Sequence, residues 1–192
     1  MRVAVSGTHC CGKSTLIERF LIAHPDFAHE PEPYTVLEEQ YGELFSAEPS
    51  ADDFYRQLEF NIARLRSHAP GEMVIYERCP VDFLSYMLAL DDLGRDGEAM
   101  RVADRVLDVV KDAIGLLDLI AFLPLDDMDG GVMSDSEDEE LRAAVDARLV
   151  SILCDDELDL FASGRPAVLE LRGATAERLL KLEAALDGLS GG

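Results

Sequence analysis

The residues best placed to do chemistry are Gly7-Thr8-His9-Cys10-Cys11-Gly12-Lys13-Ser14-Thr15, which fit the GxxxxGKS spacing of a phosphate-binding loop. The spacing has a physical cause. Glycines let the backbone wrap an anion, consecutive N–H groups and the N-terminus of the following helix face it, and a lysine adds a point charge. On this reading Gly12 sits where a side chain would obstruct the turn, and Lys13 reaches the β and γ phosphates of a nucleoside triphosphate. Ser14 ligates Mg²⁺ through its hydroxyl, and the amide and hydroxyl of Thr15 meet the α phosphate. His9, Cys10 and Cys11 occupy positions where the backbone does the binding, so packing or turn chemistry accounts for their side chains. A thiol at a helix N-terminus tends toward a lowered pKa, which leaves redox control as the alternative for the two cysteines.

Such a loop needs a strand before it and a helix after it, and the chain supplies both: an apolar strand over residues 2–6 and a helix over 14–24, ended by Pro25. A short strand is expected over 27–30, running into Glu30-Pro31-Glu32-Pro33-Tyr34, where two prolines enforce extended backbone and stop any helix. Residues 52–68 place Phe54, Leu58, Ile62 and Leu65 on one helical face. A strand over 72–76 enters Glu77-Arg78-Cys79-Pro80 and a helix through 81–87. A further helix over 97–116, a strand over 117–124 and a helix over 141–153 follow, then a strand over 166–172 and a helix over 175–186. Residues 126–140, dense in acids and glycine, read as a mobile loop, and 188–192 as a frayed tail. Strands alternating with helices and carrying nearly continuous apolar cores imply a parallel sheet covered on both faces. Ligands then bind beyond the carboxyl ends of the strands, which carry the loop from Gly7 to Ser14, Glu30 or Glu32, Glu77 with Arg78, residues 125–127, and Gly173.

At 192 residues and 48% hydrophobic composition the chain is expected to form a single domain over 1–192. A formal net charge of −22, from 39 acidic against 17 basic residues, argues against a nucleic-acid partner, since backbone phosphates need an excess of Lys and Arg. Only Lys13, Lys111 and Lys181 are lysines. No long apolar run and no basic leader with a cleavage site is present, so the expectation is a soluble, cytoplasmic protein with no membrane partner. Cys10, Cys11, Cys79 and Cys154 lack zinc spacing and read as free thiols of a reducing compartment. A homodimer is compatible with all of this.

Three segments resemble one family: GTHCCGKSTL at the first strand, Glu32-Pro33-Tyr34 at the second, and ERCPVDFLSY (77–86) at the third. They resemble the P-loop kinases of the nucleoside and nucleotide kinase group, among them deoxynucleoside and nicotinamide ribonucleoside kinases and small bacterial AAA-domain or ATPase-like proteins. The likeness covers most of the chain in order, and the phosphate loop is its specific part. It implies an α/β P-loop NTPase fold: a five-stranded parallel sheet in order 2-3-1-4-5, helices on both faces and a lid between strands 4 and 5. ATP with Mg²⁺ and a small-molecule phosphoryl acceptor are implied with it.

Within that resemblance Glu32 matches the carboxylate that takes the proton of the acceptor hydroxyl. Glu30, also followed by proline, competes with it, and for either the plain alternative is a solvated turn acid. Glu77 and Arg78 match the Glu-Arg pair whose acid lies near the metal or acceptor and whose arginine contacts phosphate or acceptor. An ion pair or helix cap before Pro80 is the alternative. Asp82 suits the first turn of a helix electrostatically and is a candidate for the metal's outer shell. The lid departs from the family, because residues 126–140 hold no arginine. Arg142 and Arg148, six residues apart, face different directions, so one of them closes over ATP or transfer is slow. Tyr34, Phe54, Tyr55 and Tyr86 belong either to the core or to a stacking site for an acceptor base. The resemblance implies a kinase that moves the γ-phosphoryl group of MgATP to a nucleoside, nucleotide or related metabolite. The rival is a regulatory ATPase or nucleotide-binding switch with no small-molecule acceptor.

Overall fold

The computed structural model describes residues 1–46, 48–125, 138–161 and 164–190. Five strands form one sheet: β1 (Arg2–Ser6), β2 (Ala28–Glu30), β3 (Val74–Glu77), β4 (Leu119–Phe122) and β5 (Ala167–Glu170). Their spatial order is β2-β3-β1-β4-β5, and every pairing is parallel. The three inner strands are buried along their whole length, as near-continuous apolar segments in a sheet covered on both faces must be.

Successive strand residues point to opposite faces, and the two faces have separate cores. Ala4, Val74, Tyr76, Ile120 and Phe122 join the larger core, which is built on α3 (Ala51–Ser67), α4 (Pro80–Asp92), α5 (Ala99–Ile114) and α6 (Glu139–Leu153). Their neighbours Val3, Val5, Ile75, Leu119 and Ala121 join the smaller one, under α1 (Lys13–Ala23) and α7 (Thr175–Ser190). Helix α4 is buried at every position from Pro80 to Leu90, which explains why its sequence is apolar around the full turn rather than on one stripe. A leucine or phenylalanine buried this way contributes about 1.5–3 kcal/mol. Among the described residues no helix is long and apolar enough to cross a membrane.

The sequence reading needs four corrections. The Glu30–Tyr34 stretch does not stop helix formation: α2 (Pro33–Tyr41) begins at its second proline and ends at Gly42 in a left-handed conformation. Pro33 occupies the first helical turn, where its missing N–H would be unpartnered anyway. Strand β3 begins at Val74 rather than Glu72 and includes Glu77. Helix α6 begins at Glu139, with Asp138 as its N-cap accepting from Leu141 N at 3.0 Å, so the last acids of the expected loop are helix-starting residues. The tail is helical through Ser190. The remainder of the expected mobile loop, 126–137, lies outside the described residues.

Strand β1 lies between β3 and β4, so the chain leaves its carboxyl end at the point where the connections diverge to either side. A crevice forms there in doubly wound sheets. The residues of interest gather around it.

Candidate active site

The loop after β1 is shaped by its glycines. Gly7 has φ +146°, and a Cβ there would lie 2.6 Å from the Leu123 carbonyl oxygen and 2.7 Å from Cys11 Sγ, distances that only glycine avoids. Gly12, at φ +91°, is the N-cap of α1. Lys13 is buried, and its Nζ donates to the Thr8 carbonyl at 2.6 Å within the loop's own curve. Cys11 is buried and Cys10 is exposed; none of the four cysteines is in a disulfide. Ser14 Oγ donates to Glu77 Oε1 at 2.7 Å. These two residues, 63 positions apart in sequence, thus place a hydroxyl and a carboxylate together beside the loop. Both are hard oxygen donors of the kind Mg²⁺ takes while keeping several waters. No cluster of three or more His, Cys, Asp or Glu suited to a metal exists among the described residues.

Two side chains bind the loop to the rest of the crevice. Asp82, fully buried, accepts from Gly7 N at 3.0 Å and from Cys79 N at 2.8 Å. It therefore caps α4 and anchors the loop with one carboxylate. Arg178, 3% exposed on α7, donates from Nη1 to the Cys11 carbonyl at 2.8 Å.

Arg78 forms the other half of the site. It follows β3 with φ +73°, an unusual backbone state for a non-glycine residue and one that concentrates at functional sites. Its side chain is 2% exposed. Nε donates to Glu32 Oε1 at 2.5 Å and Nη1 donates to the Gly7 carbonyl at 3.0 Å. Nη1 also lies 3.5 Å from Asp82 Oδ1, Nη2 lies 3.4 Å from the His9 ring, and the guanidinium sits over Tyr86 at 5.4 Å. Desolvation pushes the Glu32 carboxyl up, but Arg78, with Lys13 and His9 adding, overcomes it and holds the pKa at about 2. The same guanidinium, helped by desolvation, lowers His9 to about 3. Near neutral pH Glu32 is an anion and His9 is uncharged. Burial pushes the Cys79 thiol well up and Tyr86 to about 12.

A cavity of about 580 Å³ opens directly from this pair. His9, Glu32, Arg78 and the buried Gln57 line it together with two stacked ring pairs, Phe54 on Tyr86 at 4.5 Å and Tyr34 on Phe45 at 5.0 Å. Arg142, in the first turns of α6, also lines it and donates from Nε to the His9 carbonyl at 2.9 Å.

Of the two acids in the Glu-Pro repeat, Glu32 stands at the cavity, while Glu30 turns away to Arg64 and to His68 Nε2 at 2.6 Å. Arg142 reaches the loop, whereas Arg148 pairs with Asp92 and Glu157. Tyr34, Phe54 and Tyr86 line the cavity, but Tyr55 packs under Arg105 elsewhere. The structure thus brings Lys13, Ser14, Glu77, Arg78 and Glu32 around one crevice. Sequence reasoning missed Arg178 and the anchoring role of Asp82. For Asp82 a signal existed: its spacing of three residues from Cys79, before a proline-started helix, is that of a capping pair. Nothing local marks Arg178.

Several solved structures share this fold. Thymidylate kinase from Candida albicans superposes with a TM-score of 0.67 at 15% identity, covering 97% of this chain and 91% of that one. Deoxyadenosine kinase from M. mycoides, solved with bound dATP, gives 0.66 at 13% identity, covering 97% and 99%. NadR protein in complex with NR gives 0.62 at 16% identity, and this chain spans about half of it, 52%, while being covered completely. At these identities the likeness is one of fold. No curated protein matches the chain in sequence. The chain shares its overall fold with these solved structures. The chain itself belongs to the family described as AAA domain (AAA_28), whose model matches residues 2–155.

Proposed function

We propose that this protein is an ATP-dependent kinase that transfers the γ-phosphoryl group of MgATP to a small-molecule acceptor, a nucleoside, nucleotide or related metabolite. One observation carries the reading: the cavity of about 580 Å³ opens beside the phosphate loop, and the Glu32–Arg78 pair stands where the two meet. A switch that only hydrolyses or holds a nucleotide has no need of that second compartment. The similarity in fold to a deoxyadenosine kinase and a thymidylate kinase supports it. Four cysteines outside any disulfide suit a reducing cytoplasm as the place of action.

In this reading Lys13 and the loop amides hold the β and γ phosphates, and Ser14 with Glu77 holds Mg²⁺. The bound metal supplies charge neutralisation on the phosphate oxygens. Arg142, extended from α6 to the loop, is the arginine available to the transferring group, the part that the arginine-free lid segment cannot play. Glu32 faces the acceptor hydroxyl. With its pKa held near 2, the carboxylate is a weak base and a good acceptor, so it orients the hydroxyl more than it deprotonates it. That suffices for phosphoryl transfer, whose loose transition state asks mainly for positioning and charge stabilisation.

A Glu32→Gln and Glu30→Gln pair tests the reading by acceptor phosphorylation and by ATP titration. Glu32→Gln is expected to keep ATP affinity and to lower transfer about a hundredfold through lost positioning of the acceptor, and Glu30→Gln to leave transfer near the native rate. If ADP forms while no metabolite in a library gains phosphate, the regulatory ATPase is the better account.

A further inference from the structure

We infer that Arg178, near the start of α7, is a positioning residue for the phosphates of the donor: by holding the Cys11 carbonyl it turns the next amide of the phosphate loop toward them. The inference rests on the donor half of the reading above and not on its acceptor half. It adds a residue from a helix outside the stretch, 2–155, that the family model matches.

Carbonyls of the loop accept from cations on different elements. Arg78, after β3, donates from Nη1 to the Gly7 carbonyl at 3.0 Å, and Lys13, at the start of α1, donates from Nζ to that of Thr8 at 2.6 Å. Arg142 on α6 donates to the His9 carbonyl at 2.9 Å, and Arg178 on α7 to that of Cys11 at 2.8 Å. In a planar trans peptide the C=O of one residue and the N–H of the next point in opposite directions. A fixed Cys11 carbonyl therefore fixes the Gly12 N–H, one of the amides that a loop of this spacing offers to phosphate. Gly12 makes room for the contact: a Cβ there would lie 3.3 Å from Arg178 Nη1, closer than ordinary packing.

Helix α7 itself gives no reason for an arginine at this point. Residues 178, 182 and 186 lie four apart on one helical face, and Leu182 and Leu186 are buried in the smaller core, so an apolar side chain would continue the stripe. A cation is disfavoured there twice. Arg178 is only 3% exposed, and it stands near the N-terminal end of a helix, where the dipole favours negative charge. Local rules are broken in this way where function offsets the cost, and what Arg178 reaches is the loop, 167 positions away.

The test uses the full chain with Arg178→Met and Arg178→Lys. Methionine keeps the apolar length and loses the charge and the donors, while lysine keeps the charge on a shorter arm. MgATP binding is titrated by calorimetry, and magnesium tripolyphosphate, which has the phosphates without base or sugar, by competition with it. Expected is binding about thirtyfold weaker in Arg178→Met and about fivefold weaker in Arg178→Lys, the loss of all or part of one charged hydrogen bond, and by the same factor for both ligands. Lys181→Met, which removes an exposed cation from the same helix, should change neither by more than about twofold. Native-strength MgATP binding in both Arg178 variants would overturn the inference, as would an equal loss in Lys181→Met. So would a loss for MgATP with none for tripolyphosphate, which would put Arg178 with the base instead. If the urea transition shows that Arg178→Met does not fold, Arg178→Lys decides alone, and native-strength binding there overturns the inference. A native chain that binds neither ligand would remove the donor reading and the inference together, whereas a search that finds no acceptor leaves the inference standing.

Discussion

The phosphate loop and the Glu32–Arg78 end of the cavity lie side by side and are held in opposite ways. The loop is a main-chain object: Gly7 and Gly12 set its curve, and Lys13 rests on the Thr8 carbonyl. The other end is a side-chain object, a buried guanidinium shared between two carboxylates, a carbonyl and a histidine ring. Backbone amides presented in a fixed curve can bind any polyphosphate, whatever base it carries. A buried charge pair is specific to what it faces and costly to disturb. On the proposed kinase reading the loop is the generic part of the site, and the Glu32–Arg78 end is the part able to discriminate.

Arg78→Ala should strain that contrast most, since it strands Glu32 and Asp82. Stability is expected to fall by about 3–5 kcal/mol, read from urea midpoints. Lys13→Ala should do the reverse: on the order of a hundredfold weaker ATP binding by calorimetry, with a much smaller loss of stability than Arg78→Ala. If the two variants lose similar stability, the loop is no more independent of side chains than its neighbour.

The smallest effect is one of pH. Glu32 titrates near 4.5 when unfolded and near 2 when folded, so below 4.5 the unfolded chain takes up a proton that the folded chain refuses. Its stabilising contribution is complete above about 4.5 and is lost as pH falls toward 2. Within that window wild type should lose stability more steeply than Glu32→Gln, by up to about 1.4 kcal/mol per pH unit. Parallel slopes would mean that the pair is not formed in solution.

What could be read in advance followed the same division. Main-chain chemistry leaves a local pattern, so GxxxxGKS and its flanking strand and helix were legible, and the alternation of strands and helices implied the parallel sheet. Its order came only with the family resemblance. Side-chain chemistry across the fold leaves little trace. Arg178 reaches Cys11 across 167 positions, and no periodicity points from one to the other. Helix α2 was missed for a local reason: Pro33 was read as a stop, although the first turn of a helix is where proline is welcome. For Arg142 and Arg148, spacing said correctly that they diverge, but only tertiary contacts show which one reaches the loop.

Asp82 joins the two ends. Its two oxygens accept from Gly7 N on the loop and Cys79 N at the start of α4, so the first amide of one half and the cap of the other share a single carboxylate. Mechanically this removes a degree of freedom. The loop cannot lift at Gly7 without loosening the first turn of α4, and α4, buried from Pro80 to Leu90 between its neighbours, has nowhere to go. The flexible glycines of the loop are thereby bolted at one end to a helix buried from Pro80 to Leu90, and Arg178 fastens the turn that follows at the Cys11 carbonyl.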